Sequence, residues 1–112
     1  MTVFEKILNK EIPAKIVYED DDILAFHDIS PQAPVHVLVI PKAKIVAFND
    51  LADQGNEMVG KLFRGAAVVA KKLGIDEKGY RVVINCGEHG QQTVAYLHLH
   101  LLAGRQLKWP PG

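Results

Sequence analysis

The segment Val94-Ala-Tyr-Leu-His-Leu-His-Leu-Leu102 constrains the fold more than any other. Strand side chains alternate between faces. If these residues form a strand, Leu97, Leu99 and Leu101 share one face, and that face has to pack under a covering element. Tyr96, His98, His100 and Leu102 share the other. The covering element is legible upstream. From about Leu51 to Leu73, apolar residues fall at Met58, Val59, Leu62, Phe63, Ala66, Val69, Ala70 and Leu73, the spacing of a long amphipathic helix, with Gly74 as its stop.

The rest of the chain reads as short elements. Thr2 and Glu5 form a capping-box pattern, and Val3, Phe4, Ile7 and Leu8 give a helical stripe that Pro13 ends. Ile16-Val-Tyr18 and Ile23-Leu-Ala-Phe26 flank the acidic turn Glu19–Asp22, as in a β-hairpin. Ser30-Pro-Gln-Ala-Pro34 is a loop fixed by two prolines. His36–Ile40 is a strand ended by Pro41, and Tyr80–Asn85 and Val94–Ala103 read as strands. Strands grouped in hairpins with two helices predict an α+β fold on an antiparallel sheet.

Length and charge set outer limits. With 112 residues, one domain spanning 1–112 is expected. Lys plus Arg and Asp plus Glu are 13 each, so no bulk electrostatic grip on nucleic acid or an anionic membrane is expected. No targeting segment or membrane helix is visible. The lone Cys86 has no internal partner, which fits a reducing compartment. These features favour a soluble intracellular protein.

Five histidines stand at 27, 36, 89, 98 and 100. The pair on the final strand admits three readings. They are satisfied histidines, two ligands of a zinc site that needs one or two more from His36, His89 or Cys86, or catalytic imidazoles acting on phosphorus. The third gains weight from the loop Asn85-Cys-Gly-Glu-His-Gly-Gln-Gln-Thr93. Its glycines, Asn, Thr hydroxyl and free amides suit a phosphate cradle.

Tyr96-Leu-His98-Leu-His100-Leu-Leu102 resembles the histidine triad motif with its first histidine replaced by tyrosine. Phe4 with Ile7, Glu11–Lys15, Ala25–Pro34, His36 and the ending Gly104–Gly112 extend the resemblance over essentially the whole chain. It points to the HINT branch of the histidine triad family, nucleotide-binding proteins that act as purine nucleoside phosphoramidases. That resemblance implies a five-stranded antiparallel sheet with one long helix and a short N-terminal one, continued across a homodimer. It also implies a cytoplasmic and nuclear location.

By the same resemblance, His98 is the nucleophile that attacks the α-phosphorus, its tautomer set by the backbone carbonyl of residue 96. His100 faces the phosphate and leaving group, and His36 tunes the proton network. Asp28 accepts from the ribose hydroxyls. Asn85 and Thr93 match phosphate-contacting positions, with Gln92 and Val94 beside them. Phe4, Ile7, Phe26, His27, Ile29 and Leu38 line the purine pocket together with Val3. Trp109 reaches the partner's active site. No cofactor or metal is expected, and the partners are purine nucleoside monophosphates and phosphoramidates, with no nucleic acid or membrane. Lys44 stands where close relatives often carry another histidine, and Gln91 where a glycine is usual. The alternatives are a dinucleoside polyphosphate hydrolase and a nucleotide-binding scaffold with weak catalysis.

Overall fold

A computed structural model describes residues 1–112. Helix α1, Val3–Leu8, begins as the sequence indicates. The Thr2 hydroxyl accepts from the Glu5 amide, and the Glu5 carboxylate accepts from the Thr2 amide. Strands β1 (Ile16–Glu19) and β2 (Ile23–His27) form the expected hairpin. Its turn is closed by Asp20, whose carboxylate accepts from the amides of Asp22 and Ile23 at 2.8 and 2.9 Å.

Strand β3 (Val35–Pro41) follows, then helix α2 (Asn56–Leu73), β4 (Arg81–Val83) and β5 (Leu99–Ala103). The sheet is antiparallel throughout, in the order β1-β2-β3-β5-β4. Gly74, at φ 73°, terminates α2 in the left-handed conformation.

Three elements differ in extent from the sequence reading: β4 is Arg81–Val83 rather than Tyr80–Asn85, and two others differ at their starts. The long helix starts at Asn56 rather than near Leu51, because Phe48–Asp53 form a separate 3-10 turn before it. The final strand joins the ladder only at Leu99, and residues 94–98 lie outside it. Alternation nevertheless persists through that segment. Leu97, Leu99 and Leu101 pack under α2, while Tyr96 packs on the opposite face.

The sheet thus separates two apolar clusters. One joins Ile23, Ala25, Val37, Val39, Leu99 and Leu101 to Leu62, Ala66 and Val69 of α2. Gly65 lets the helix approach closely, since a Cβ there would stand 2.4 Å from Cδ1 of Ile23. The other holds Phe4, Leu24, Phe26, Leu38, Ile40 and Tyr96. No helix is long and apolar enough to cross a membrane.

Candidate active site

The register of the sheet brings the histidines together. His36 on β3 pairs with Leu102 of β5, and Leu38 pairs with His100. The His36 ring therefore leans toward His100, with ring centroids 5.1 Å apart. His98 lies two residues before His100, and their centroids are 4.9 Å apart. His36 and His98 are both buried. Phe4 of α1 covers His98 edge-on at 4.9 Å, so the short N-terminal helix forms one wall of the cluster.

Hydrogen-bond partners assign the protons. His98 Nδ1 lies 2.7 Å from the Tyr96 carbonyl oxygen, which only accepts. Nδ1 therefore carries the proton, and Nε2 keeps its lone pair. At His36 the relation is inverted. The Gln32 main-chain amide donates to His36 Nδ1 at 3.0 Å, so the neutral ring is protonated at Nε2. That Nε2–H faces His100 Nδ1 at 2.9 Å. His100 consequently accepts at Nδ1 and bears its proton on Nε2.

His100 Nε2 is buried and has no hydrogen-bond partner in the protein. A buried donor without a partner is costly and rare, so this atom points to a ligand. Two neighbouring imidazoles thus present complementary groups: a lone pair on His98 Nε2 and an N–H on His100 Nε2.

Electrostatics disfavour the charged forms of His100 and His36. Burial, then the positive charge that His98 and His36 would carry, pushes the His100 pKa down to about 4. Burial also lowers that of His36, against a smaller opposing pull from Asp28. Asp28 Oδ2 lies 3.5 Å from His36 Nε2, and its other oxygen accepts from the Ser30 amide. Asp28, His36 and His100 each offer a ligand atom, all within 4.8 Å of one another. Two imidazoles and a carboxylate form a donor set that suits zinc. His98 is not part of it.

The loop expected to cradle phosphate follows β4. Val83, the last residue of β4, pairs with His100, and the loop leaves the sheet from there. Asn85 donates to the Gly90 carbonyl at 2.7 Å and folds the loop onto itself. Gln92 braces it further, donating to the carbonyls of Val46 and Val94 at 2.7 and 3.0 Å. Its carboxamide is thus engaged within the protein. Thr93 is exposed, and its hydroxyl has no protein partner. Gln91 adopts φ 57°, the left-handed region that side chains other than glycine rarely enter.

The residues expected around a purine divide in two. Phe4, Phe26 and Leu38 are buried in the smaller cluster, with Ile7 and Val94 against it. Val3, His27 and Ile29 are exposed, Ile29 by 98%. Trp109 is exposed, with the Arg81 guanidinium of β4 over its ring. His89 is exposed in the loop turn. A concavity of about 710 Å3 lies at the far end of β4 and β5, among Tyr80, Arg81, Gly104 and Arg105. The imidazoles do not line it.

Sequence reasoning missed Gln32, which acts through its main-chain amide. Only the Pro31 and Pro34 rigidity of that loop could have signalled it.

The model of the HIT domain matches residues 9–107. This chain belongs to the HIT family. A 14 kDa zinc-binding protein of Zea mays is 51% identical to it, over 99% of this chain and 88% of the maize protein. Adenylylsulfatase HINT1 of Arabidopsis thaliana is 47% identical, over 99% of this chain and 76% of its own. A HIT family hydrolase from Legionella pneumophila superimposes with a TM-score of 0.94 at 48% identity, over the full length of both chains. The five-stranded antiparallel sheet with its helices is the HIT fold.

Proposed function

We propose that this HIT protein is a nucleotide hydrolase that cleaves the P–N bond of purine nucleoside 5′-phosphoramidates through a nucleotidyl-histidine intermediate. The observation that carries this reading is the opposed protonation of His98 and His100. The His98 Nε2 lone pair attacks the α-phosphorus, and the P–N electron pair leaves with the amine, which takes up a proton. Because Nδ1 keeps its own proton, the ring becomes a cationic N-phosphoryl imidazolium. The Tyr96 carbonyl, aimed at Nδ1–H, stabilises that charge as it develops. Water then attacks phosphorus and gives up a proton, which replaces the one the amine took. The P–N bond to His98 breaks, its electrons return to Nε2, and nucleoside monophosphate is released.

His100 Nε2–H donates to a phosphoryl oxygen or to the leaving nitrogen. A bound phosphate favours its charged form and raises its pKa from about 4 toward the range where proton donation is efficient. Asp28 takes the ribose hydroxyls, and the exposed Val3, His27 and Ile29 join Phe4 at the base.

The names of the Legionella and Arabidopsis relatives support hydrolysis, and the latter's names a sulfate leaving group. The test is therefore comparative. Adenosine 5′-phosphoramidate, adenylyl sulfate and diadenosine polyphosphate are incubated with the chain, and AMP release is followed. Phosphoramidate as the preferred substrate supports the reading. Preference for diadenosine polyphosphate, or AMP binding without turnover, overturns it.

The chain is proposed to work as a homodimer. Its β4 is an open edge strand with Val82 exposed, and Phe63 and Val68 of α2 are exposed too. A second copy joined edge to edge would cover them and bring Trp109 toward its partner's site. Light scattering should give a dimer mass at micromolar concentration, and a monomer mass contradicts the assembly.

Zinc binding by Asp28, His36 and His100 is a second reading, favoured by their geometry and by the name of the maize relative. Elemental analysis before and after chelation decides it.

A further inference from the structure

The carbonyl that sets the nucleophile belongs to a segment the sheet does not hold. The ladder begins at Leu99, three residues after Tyr96. The Tyr96–Leu97 peptide is fixed at one end by the Leu97 amide, which donates to the Ile45 carbonyl at 2.7 Å. The side chain of Tyr96 fixes the other end. Its ring is fully buried against Phe4, with centroids 6.1 Å apart. Its hydroxyl donates to the Pro41 carbonyl at 2.5 Å, with the Lys42 carbonyl at 3.3 Å. Pro41 is the last residue of β3 and pairs with Ile23 of β2. The hydroxyl therefore ties a segment outside the ladder to the sheet across 55 positions of sequence.

We propose that Tyr96 is a positioning residue whose hydroxyl, anchored on the Pro41 carbonyl, holds the Tyr96 main-chain carbonyl where it fixes the His98 tautomer. This rests on the reading of His98 as the nucleophile. The tyrosine at the first triad position is then more than a tolerated replacement. A phenol reaches a carbonyl at the end of β3, and it fixes the backbone from behind while the carbonyl faces forward. Burial and the nearby Glu5 carboxylate push the hydroxyl pKa up to about 12, so it stays a donor over the working range.

The test compares Tyr96→Phe with Leu62→Ala, which opens the cluster under α2 on the other face of the sheet. Histidine ring nitrogens are observed by 15N NMR in each full-length variant and in the parent. The parent should show His98 with a protonated Nδ1 and a bare Nε2. Tyr96→Phe should show the two tautomers averaging, while Leu62→Ala keeps the parental pattern. In turnover, Tyr96→Phe should lose roughly ten- to a hundredfold in kcat, the range that a slightly misplaced reacting group costs, with KM within about twofold. Leu62→Ala should keep the kcat of its folded fraction.

A parental tautomer in Tyr96→Phe, or a kcat loss no larger than in Leu62→Ala, overturns the proposal. If the parent hydrolyses no phosphoramidate, the proposed reaction fails, and the ring-nitrogen pattern still decides the role of Tyr96. Should Tyr96→Phe not fold, the parent suffices. Its Tyr96 hydroxyl proton should be protected from exchange and show scalar coupling to the Pro41 carbonyl carbon. A freely exchanging hydroxyl overturns the anchor.

Discussion

Ile23 and Leu24 are neighbours in β2, and Val37 and Leu38 in β3, yet each pair sends its side chains into different surroundings. Ile23 and Val37 join the aliphatic cluster under α2, which contains no titratable side chain. Leu24 and Leu38 join the smaller cluster, where Phe4, Phe26 and Tyr96 stand beside buried imidazoles. The difference teaches how one thin sheet combines stability with chemistry. The α2 side supplies most of the apolar burial, which is the main stabilising contribution to folding. The α1 side accepts costly groups, a buried unpartnered nitrogen and two histidines of depressed pKa, that a binding site needs.

If the division is right, the two sides fail in different ways. The largest effect belongs to His98→Ala, which removes the proposed nucleophile. Turnover of adenosine phosphoramidate should fall by at least ~10³-fold, with little change in Tm. Near-parental rates in stopped-flow fluorescence would break the comparison at its centre. The converse is Leu62→Ala. Losing a fully buried leucine should cost about 2–5 kcal/mol in denaturant unfolding while sparing kcat. A large kcat loss there would mean that the α2 side also governs the site.

His100→Gln comes next. Removing one donor aimed at developing charge typically costs about 10²-fold. The loss should be larger for poor leaving groups than for good ones. An equal loss for both assigns His100 to the phosphate alone.

The smallest effect is one of pH. His36 and His100 have pKa values in the folded state below the ordinary histidine value of 6.5, that of His100 at about 4. Between those values the unfolded chain binds more protons than the folded one, so stability falls as pH falls through that window. Glu5 and Glu19, whose carboxyls are held low by hydrogen bonds from Thr2 and Lys42, add losses only nearer their ordinary value of 4.5. A Tm series from pH 7 to 4 should therefore decline in the parent. It should decline less, and later, in a His36→Gln/His100→Gln variant. Equal slopes would show that the imidazoles are not the buried neutral groups described.

Much of this was legible in the chain itself. The Thr2–Glu5 capping box, the Glu19–Asp22 turn and the alternating leucines under α2 all express local patterns that the fold retains. The helix start was misplaced because Leu51 fits the apolar stripe, although Phe48–Asp53 wind as a 3-10 turn. The start of β5 was misplaced because period-two patterning already runs through Tyr96 and Leu97 without ladder bonds. At the site, residue type singled out His98 and His100 as candidates, and the fold brings their rings together with His36. The Gln32 amide, the Tyr96 hydroxyl anchor and the engagement of the Gln92 carboxamide within the loop were not legible. Main-chain donors carry no residue signature, and partners that lie 4 to 55 positions apart are set only by the folded register.

The central claim is that His98 Nε2 forms a bond to phosphorus. Its direct measurement is acid-free rapid quenching of the parent with adenosine phosphoramidate, followed by peptide mass analysis. The account predicts one adenylyl group on the peptide that contains His98, localised to that ring and absent from His98→Ala. An adenylyl group on His36 or His100, or full-rate AMP formation with no protein-bound adenylyl at any quench time, would contradict it.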